Sequence, residues 1–109
     1  MSRWIPVAEV DALPPGQGKT VRAGGFVLAL FRIGDEWFAL DDACPHQGAS
    51  LGEGLLHQGR VICPWHSWVF DVRHGTCHGV PGVRVGCYGT RVGENGMIEV
   101  ELPDPRSDG

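Results

Sequence analysis

Two short loops near the middle of the chain limit what this sequence can fold into. The first ligand loop is Cys44-Pro45-His46 and the second ligand loop is Cys63-Pro64-Trp65-His66, with sixteen residues between them. Each loop offers one thiolate and one imidazole, and a metal centre that used both would hold the loops side by side. The rest of the chain must then fold so that two segments distant in sequence meet at one point.

The order of the ligands separates two kinds of metal centre. Zinc modules usually take two cysteines from one arm and two histidines from the other, whereas each arm here carries one of each. With the loops side by side, the sulfurs meet at one point and the imidazoles at another, which suits two metal atoms better than one. A 2Fe–2S cluster with Cys on one iron and His on the other needs this arrangement. The predicted metal ligands are Cys44, His46, Cys63 and His66. A zinc-binding interaction module is the alternative from a different class.

The pattern Cys-x-His, sixteen residues, then Cys-x-x-His resembles that of Rieske-type ferredoxins, and the likeness covers nearly the whole chain. It extends to the Gly-rich run 48–54, to Trp68-Val69-Phe70-Asp71, and to His74-Gly75-Thr76 with Pro81. The resemblance implies an all-β Rieske fold, which is an antiparallel β-sandwich built from both chain ends with a small cluster-binding subdomain inserted at about residues 44–81. It also implies one 2Fe–2S cluster per chain and a role in electron transfer.

The local pattern independently favours an all-β fold. Turn signals are dense, with 17 glycines and 8 prolines, and short β-branched and aromatic runs lie between them. Gly34-Asp35 and Asn95-Gly96 are strong hairpin signals. The predicted strands are Trp4–Val10, Lys19–Arg22, Phe26–Ile33, Glu36–Leu40, Tyr88–Val92 and Met97–Leu102.

Length and charge exclude several classes of function. The 109 residues suit one domain, which we place at residues 1–103, with a loose polar tail at 104–109. The net charge is −4 and Lys19 is the only lysine, so a nucleic-acid partner is not expected. No apolar run is long enough to span a bilayer. We therefore expect a soluble cytoplasmic protein with no membrane partner.

Other metal-ligating or acidic residues are expected to be structural. His74, Cys77 and His78 form a second Cys/His group, but no fourth partner stands at a useful spacing. We predict that Cys77 and Cys87 are buried thiols outside the metal centre, although the sequence leaves open whether they pair. Asp41 and Asp42, just before the first ligand loop, are expected to form a solvated strand end.

The resemblance also bears on the reduction potential. Rieske subunits of cytochrome bc complexes have a disulfide between the loops, and Ala49 and Trp65 stand at the matching positions here. Those subunits also use a Ser and a Tyr to donate hydrogen bonds to the cluster, where this chain has Trp68 and Phe70. Losing donors that stabilise negative charge lowers the potential. We therefore predict the low end of the Rieske range, about −150 mV.

The sequence indicates an electron-carrying component without catalytic residues of its own. It resembles the small subunit of NAD(P)H-dependent assimilatory nitrite reductases in its Leu13-Pro14-Pro15-Gly16 and Ala29-Leu30-Phe31-Arg32 segments. It also resembles the ferredoxins of aromatic-ring-hydroxylating dioxygenase systems. Resemblance favours the nitrite reductase branch, and in either case the expected partners are a reductase and a terminal oxidoreductase. A redox sensor built on the same cluster would look the same in sequence.

Overall fold

The fold is composed of β-strands with two short 3-10 helices. A computed structural model of the chain describes residues 2–44, 49–64 and 68–103, so the predicted tail at 104–109 lies outside the described residues. The helices are Val10–Ala12 and Leu51–Glu53. The strands within the described ranges are β1 Ser2–Glu9, β2 Gln17–Ala23, β3 Phe26–Ile33, β4 Glu36–Asp41, β5 Leu55–His57, β6 Arg60–Ile62, β7 Val69–Asp71, β8 Cys87–Tyr88, β9 Thr90–Val92 and β10 Met97–Pro103.

The strands form three antiparallel sheets. The outer sheet has the order β1-β10-β9, the middle sheet β2-β3-β4-β8, and the small sheet β5-β6-β7. In the outer sheet the two ends of the chain pair, from Ser2 opposite Pro103 to Glu9 opposite Met97. The predicted all-β antiparallel architecture built from both chain ends is therefore confirmed. The small sheet lies within residues 44–81, where we expected the inserted subdomain.

The middle sheet is buried on both faces. Along β3, Leu28 and Leu30 belong to the core shared with the outer sheet, while Ala29 and Phe31 belong to the core shared with the small sheet. All four residues are completely buried. Because side chains alternate between the faces of a strand, a strand covered on both sides is a continuous apolar run. Residues 28–31 form such a run and place the middle sheet between the two other layers, whereas Val27 just before them is 44% exposed.

Glycine sets the turns at the two predicted hairpins. Gly34 has φ 59° between β3 and β4, and Gly96 has φ 75° between β9 and β10. Glycine adopts positive φ at little steric cost, which explains its place in these turns. Both hairpin predictions are confirmed.

The predicted single strand Tyr88–Val92 is wrong, because the chain changes sheets inside it. β8 pairs with β4 in the middle sheet, and β9 pairs with β10 in the outer sheet. The break is at Gly89, whose carbonyl oxygen accepts a hydrogen bond from the N–H of Glu101 at 2.9 Å. A short run of β-branched and aromatic residues predicts an extended segment but does not show with which neighbouring strand each half pairs.

The 3-10 helix Leu51–Glu53 packs tightly on β2, and this contact requires glycine at position 52. A Cβ on Gly52 would lie 2.7 Å from both the carbonyl carbon of Lys19 and the amide nitrogen of Thr20. We expect Gly52→Ala to lower the free energy of unfolding by about 1–3 kcal/mol, because backbone atoms must move to admit the methyl group. Urea unfolding followed by tryptophan fluorescence measures this change.

Gly89→Ala is the matched control, since a Cβ there would meet its nearest neighbour at 3.4 Å and needs no unusual φ. Equal stability of the two variants would show that the helix can move away from β2 at no cost.

Candidate metal centre

The first ligand loop begins shortly after β4. Cys44 is only 2% exposed, and its backbone N–H donates to the carbonyl oxygen of Ala49 at 2.9 Å. Just outside this bond, Ala43 and Ser50 form an isolated antiparallel bridge. The chain therefore closes on itself around the first ligand loop. The predicted ligand His46 belongs to residues 45–48, which lie outside the described residues.

The second ligand loop connects β6 to β7. Cys63 follows β6 directly and is 1% exposed, and its backbone N–H donates to the carbonyl oxygen of Trp68 at 2.7 Å. The β6–β7 pairing continues below the loop with Ile62 opposite Val69 and Val61 opposite Phe70. The predicted ligand His66 belongs to residues 65–67, outside the described residues.

The two loops are closed in the same way, although the ligand spacing differs between them. In each, the N–H of the cysteine donates to the carbonyl oxygen five residues further on, from 44 to 49 and from 63 to 68. The thiols of Cys44 and Cys63 therefore occupy equivalent positions in their loops. The sequence gives no sign of this equivalence, because one loop reads Cys-x-His and the other Cys-x-x-His.

The structure brings the two predicted sulfur ligands into one apolar core. Cys44 and Cys63 pack in the same cluster of buried residues as Leu51, Phe70 and Val85. Thiolates are soft donors that suit iron–sulfur clusters and zinc, whereas calcium and magnesium require oxygen ligands. The enclosed pair of thiols, one from each loop, fits a 2Fe–2S cluster.

Cys77 is a third cysteine of this core. It is buried with Cys44 and Cys63, which confirms the prediction that it is a buried thiol. Burial raises the pKa of the Cys77 thiol, and its electrostatic interaction with Cys44 raises that pKa further. Cys77 therefore stays a neutral thiol beside the predicted ligand. Sequence reasoning missed this closeness, since it depends on tertiary pairing such as the isolated bridge between Phe70 and Cys77.

The two histidines of the second Cys/His group lie on the surface of the protein. His74 and His78 are exposed, and the described residues contain no cluster of three or more His, Cys, Asp or Glu that could hold a metal ion. Cys87 is exposed, so the prediction that it is a buried thiol is wrong. Neither Cys77 nor Cys87 forms a disulfide.

Asp41 and Asp42 do not form a solvated strand end, so that prediction is also wrong. Asp41 accepts hydrogen bonds from the Tyr88 hydroxyl at 2.6 Å and from the Gly86 N–H at 2.9 Å. Burial and then the bond to Asp41 raise the pKa of Tyr88, which keeps its hydroxyl a donor. Asp42 is buried at 6% exposure and holds a separate network on the other side of the chain.

The turn after β7 is attached to the middle sheet by Arg73. Its guanidinium lies 4.8 Å from the centre of the Phe38 ring and 3.3 Å from a carboxylate oxygen of Glu36. Within the turn, the Arg73 N–H donates to Asp71 at 2.7 Å. Partial burial acts to raise the pKa of Asp71, but hydrogen bonds from Arg73 and His74 lower it on balance. This turn fixes the small sheet against β4.

Comparison with known proteins agrees with this geometry. The model of the Rieske [2Fe-2S] domain matches residues 3–89. The anthranilate 1,2-dioxygenase ferredoxin subunit of Burkholderia cepacia is 35% identical over 103 residues, which is 94% of each chain.

Two solved structures show the same fold over most of the chain. A candidate NADH-dependent nitrite reductase small subunit from Mycobacterium tuberculosis superposes with a TM-score of 0.88 at 29% identity, covering 95% of this chain and 98% of that one. A chain from the complex of reduced oxygenase and oxidised ferredoxin in carbazole 1,9a-dioxygenase gives a TM-score of 0.80 at 35% identity, covering 89% and 91%.

The predicted resemblance, fold and cofactor are confirmed by these matches. No helix within the described ranges is long and apolar enough to cross a membrane. Together with the two buried thiols in their matched loops, the match over residues 3–89 leads to one conclusion. The chain belongs to the Rieske [2Fe-2S] domain family and carries one 2Fe–2S cluster.

Proposed function

We propose that this protein passes single electrons between a reductase and a terminal oxidoreductase, with Cys44, His46, Cys63 and His66 holding the cluster. The observation that supports this ligand set is the equivalent closure of the two loops, which buries one thiol from each in a shared apolar core. When bound, the cluster supplies a site that accepts and releases one electron. The residues 44–81 would act as its binding subdomain within a single domain spanning 1–103.

The ligand set determines how readily the site accepts an electron. Two thiolates and two neutral imidazoles leave the oxidised centre without net charge, so that an added electron meets less repulsion than it would with four thiolates. The side chains around the two cysteines make the negative charge that is added on reduction less favourable. Phe70 is completely buried in the same core as the two cysteines, and an apolar side chain stabilises negative charge poorly.

The ligand assignment predicts which substitutions remove the cluster. Cys63→Ala and His46→Ala should each reduce bound iron and sulfide from about two per chain to near zero, because the substituted loop then lacks one of its two ligands. Iron and sulfide assays and low-temperature EPR of the dithionite-reduced protein measure this loss. Wild-type protein should give a rhombic signal of low average g.

Two other cysteines serve as controls for that experiment. Cys77→Ala, in the same core, and Cys87→Ala, on the surface, should both keep the full cluster. A full cluster in Cys63→Ala would contradict the ligand assignment. A colourless wild-type protein with one zinc and no sulfide would instead support the zinc-binding module.

The apolar surroundings predict a low reduction potential. We expect a midpoint of about −150 mV, the lower end of the Rieske range, because Trp68 and Phe70 take the places where a Ser and a Tyr donate hydrogen bonds in the high-potential members. A redox titration monitored by visible circular dichroism gives the value. A midpoint well above zero would show that other donors stabilise the reduced state.

The full-length sequence match supports an oxygenase as the terminal partner. At 35% identity over 94% of both chains, the anthranilate dioxygenase ferredoxin subunit shares more of this sequence than the nitrite reductase structure does at 29%. The motif resemblance favoured the nitrite reductase branch, and the TM-score of 0.88 keeps it as the second candidate function. All four cysteines are free of disulfides, as is usual in a reducing compartment, and this supports a cytoplasmic location.

Electron delivery to isolated partners distinguishes the two branches. We expect the dithionite-reduced protein to be reoxidised faster by a Rieske oxygenase component, such as that of anthranilate 1,2-dioxygenase, than by a sirohaem nitrite reductase subunit supplied with nitrite. Stopped-flow absorbance of the cluster measures both rates. Faster reoxidation by the nitrite reductase subunit would reverse the assignment, and bovine serum albumin in place of either partner serves as the control.

A further inference from the structure

The two ligand loops are closed alike but are supported differently. The second ligand loop stands on the β6–β7 ladder, in which three consecutive residue pairs face each other. Among the described residues, the segments that flank the first ligand loop pair with each other through the isolated bridge between Ala43 and Ser50 and a 2.7 Å bond from the Leu51 N–H to the Asp42 carbonyl oxygen, and no strand ladder continues from them; the Asp42 N–H also donates to the carbonyl oxygen of Val27 at 3.1 Å. Since a hairpin ladder holds its loop at a fixed register, the first ligand loop needs another source of order.

The Asp42 carboxyl group supplies that order. Its Oδ1 accepts hydrogen bonds from Thr20 Oγ1 at 3.0 Å, from Ser50 Oγ at 2.9 Å and from the Gly52 N–H at 2.8 Å. The hydroxyls of Thr20 and Ser50 also lie 2.8 Å apart. Thr20 belongs to β2, so one buried oxygen connects the middle sheet to the chain on both sides of the first ligand loop.

We propose that Asp42 is a positioning residue for the cluster, which acts by fixing both ends of the first ligand loop. Asp42 lies two residues before Cys44, while Ser50 and Gly52 follow the loop-closing residue Ala49. Movement of either end of the first ligand loop would therefore change the position of the Cys44 sulfur atom. A buried acceptor shared by three donors is costly to remove, because the Gly52 N–H loses its partner and the Thr20 and Ser50 hydroxyls are left with only each other. The inference depends on the ligand assignment under the proposed function.

Two substitutions of Asp42 separate the effect of the acceptor oxygen's position from the effect of the carboxylate's charge. Asp42→Asn retains a carbonyl oxygen at the place of Oδ1, so that it can accept from the same three donors. Asp42→Ala removes the acceptor. If positioning is the role, the two variants will differ, and Asn will behave like the wild type.

Asp41 is the matched control. It is the neighbouring aspartate and also accepts two hydrogen bonds, but its donors are Tyr88 and Gly86 on the β8 side of the middle sheet. Asp41→Ala therefore removes a comparable network without touching the first ligand loop. It shows what general destabilisation alone does to the cluster.

The test compares these variants as intact, cluster-loaded proteins. The measurements are the EPR g values and line widths of the reduced state, and the rate of iron release to excess EDTA. We expect Asp42→Ala to broaden the EPR lines and to release iron about tenfold faster than the wild type. Asp42→Asn and Asp41→Ala should keep the wild-type line shape and release iron within about twofold of the wild-type rate. Wild-type g values with slow release in Asp42→Ala would overturn the proposal, as would an Asn variant that matches Ala.

Two milder variants keep the test decisive if Asp42→Ala does not fold. Thr20→Val and Ser50→Ala each remove one donor and leave the carboxyl in place, so each should show a smaller change of the same kind. Unchanged line shape and iron release in both would contradict the proposal. Hydrogen exchange of the Ala49–Gly54 amides should also accelerate in Asp42→Ala but not in Asp41→Ala. Wild-type protein without iron and sulfide would refute the proposed function. The hydrogen-exchange comparison would still test whether Asp42 orders the first ligand loop.

Discussion

Burial of the middle sheet on both faces is the constraint on which the remaining architecture depends. β3 contributes Leu28 and Leu30 to one core and Ala29 and Phe31 to the other. Fully burying a side chain such as leucine or phenylalanine stabilises a fold by about 1.5–3 kcal/mol. Neither face can be left open to water, so the outer sheet must cover one face and the cysteine-containing layer must cover the other. The position of the metal centre follows from this layering.

The metal centre combines two loops of the same backbone span with unequal supports. Each cysteine N–H donates to the carbonyl oxygen five residues further on, at Ala49 and at Trp68. A strand ladder holds the second ligand loop, whereas a buried carboxyl oxygen and a single bridge hold the first. A side-chain network of this kind is worth most when it is complete, since a partly satisfied buried network costs more than none. The described residues contain no buried side-chain nitrogen or oxygen without a partner.

The apolar surroundings of the two thiols connect the fold to the redox chemistry. Phe70 and Leu51 are completely buried beside Cys44 and Cys63, and Cys77 adds a neutral thiol whose pKa is raised by burial and by Cys44. Such walls keep water from the sulfurs and leave added negative charge weakly stabilised. The same fold occurs in ferredoxins of oxygenases and in a nitrite reductase small subunit. The fold alone therefore does not identify the partner.

The amino-acid sequence by itself determined the local features of this protein. Short β-branched and aromatic runs and glycine turns predict most strands of the outer and middle sheets and the hairpins at Gly34 and Gly96, because these depend on residues close together along the chain. The cofactor class was readable for the same reason, since each loop holds the Cys and His of the proposed ligand set within four residues. The equivalence of the two loop closures could not be read, because it depends on the backbone path and not on the spacing of the side chains.

Only the tertiary structure decided the roles that depend on distant neighbours. The sequence predicts Asp42 as part of a solvated strand end, but in the structure β2 places Thr20, 22 residues away in sequence, within hydrogen-bond distance of it. Asp41 likewise acquires Tyr88 from 47 residues away, and the change of sheets at Gly89 depends on the return of β10. The physical reason is that the hydrogen-bonding groups of a polar side chain near a strand end can be satisfied either by water or by a complete buried network. Which of the two it occupies is set by the chain that packs against it.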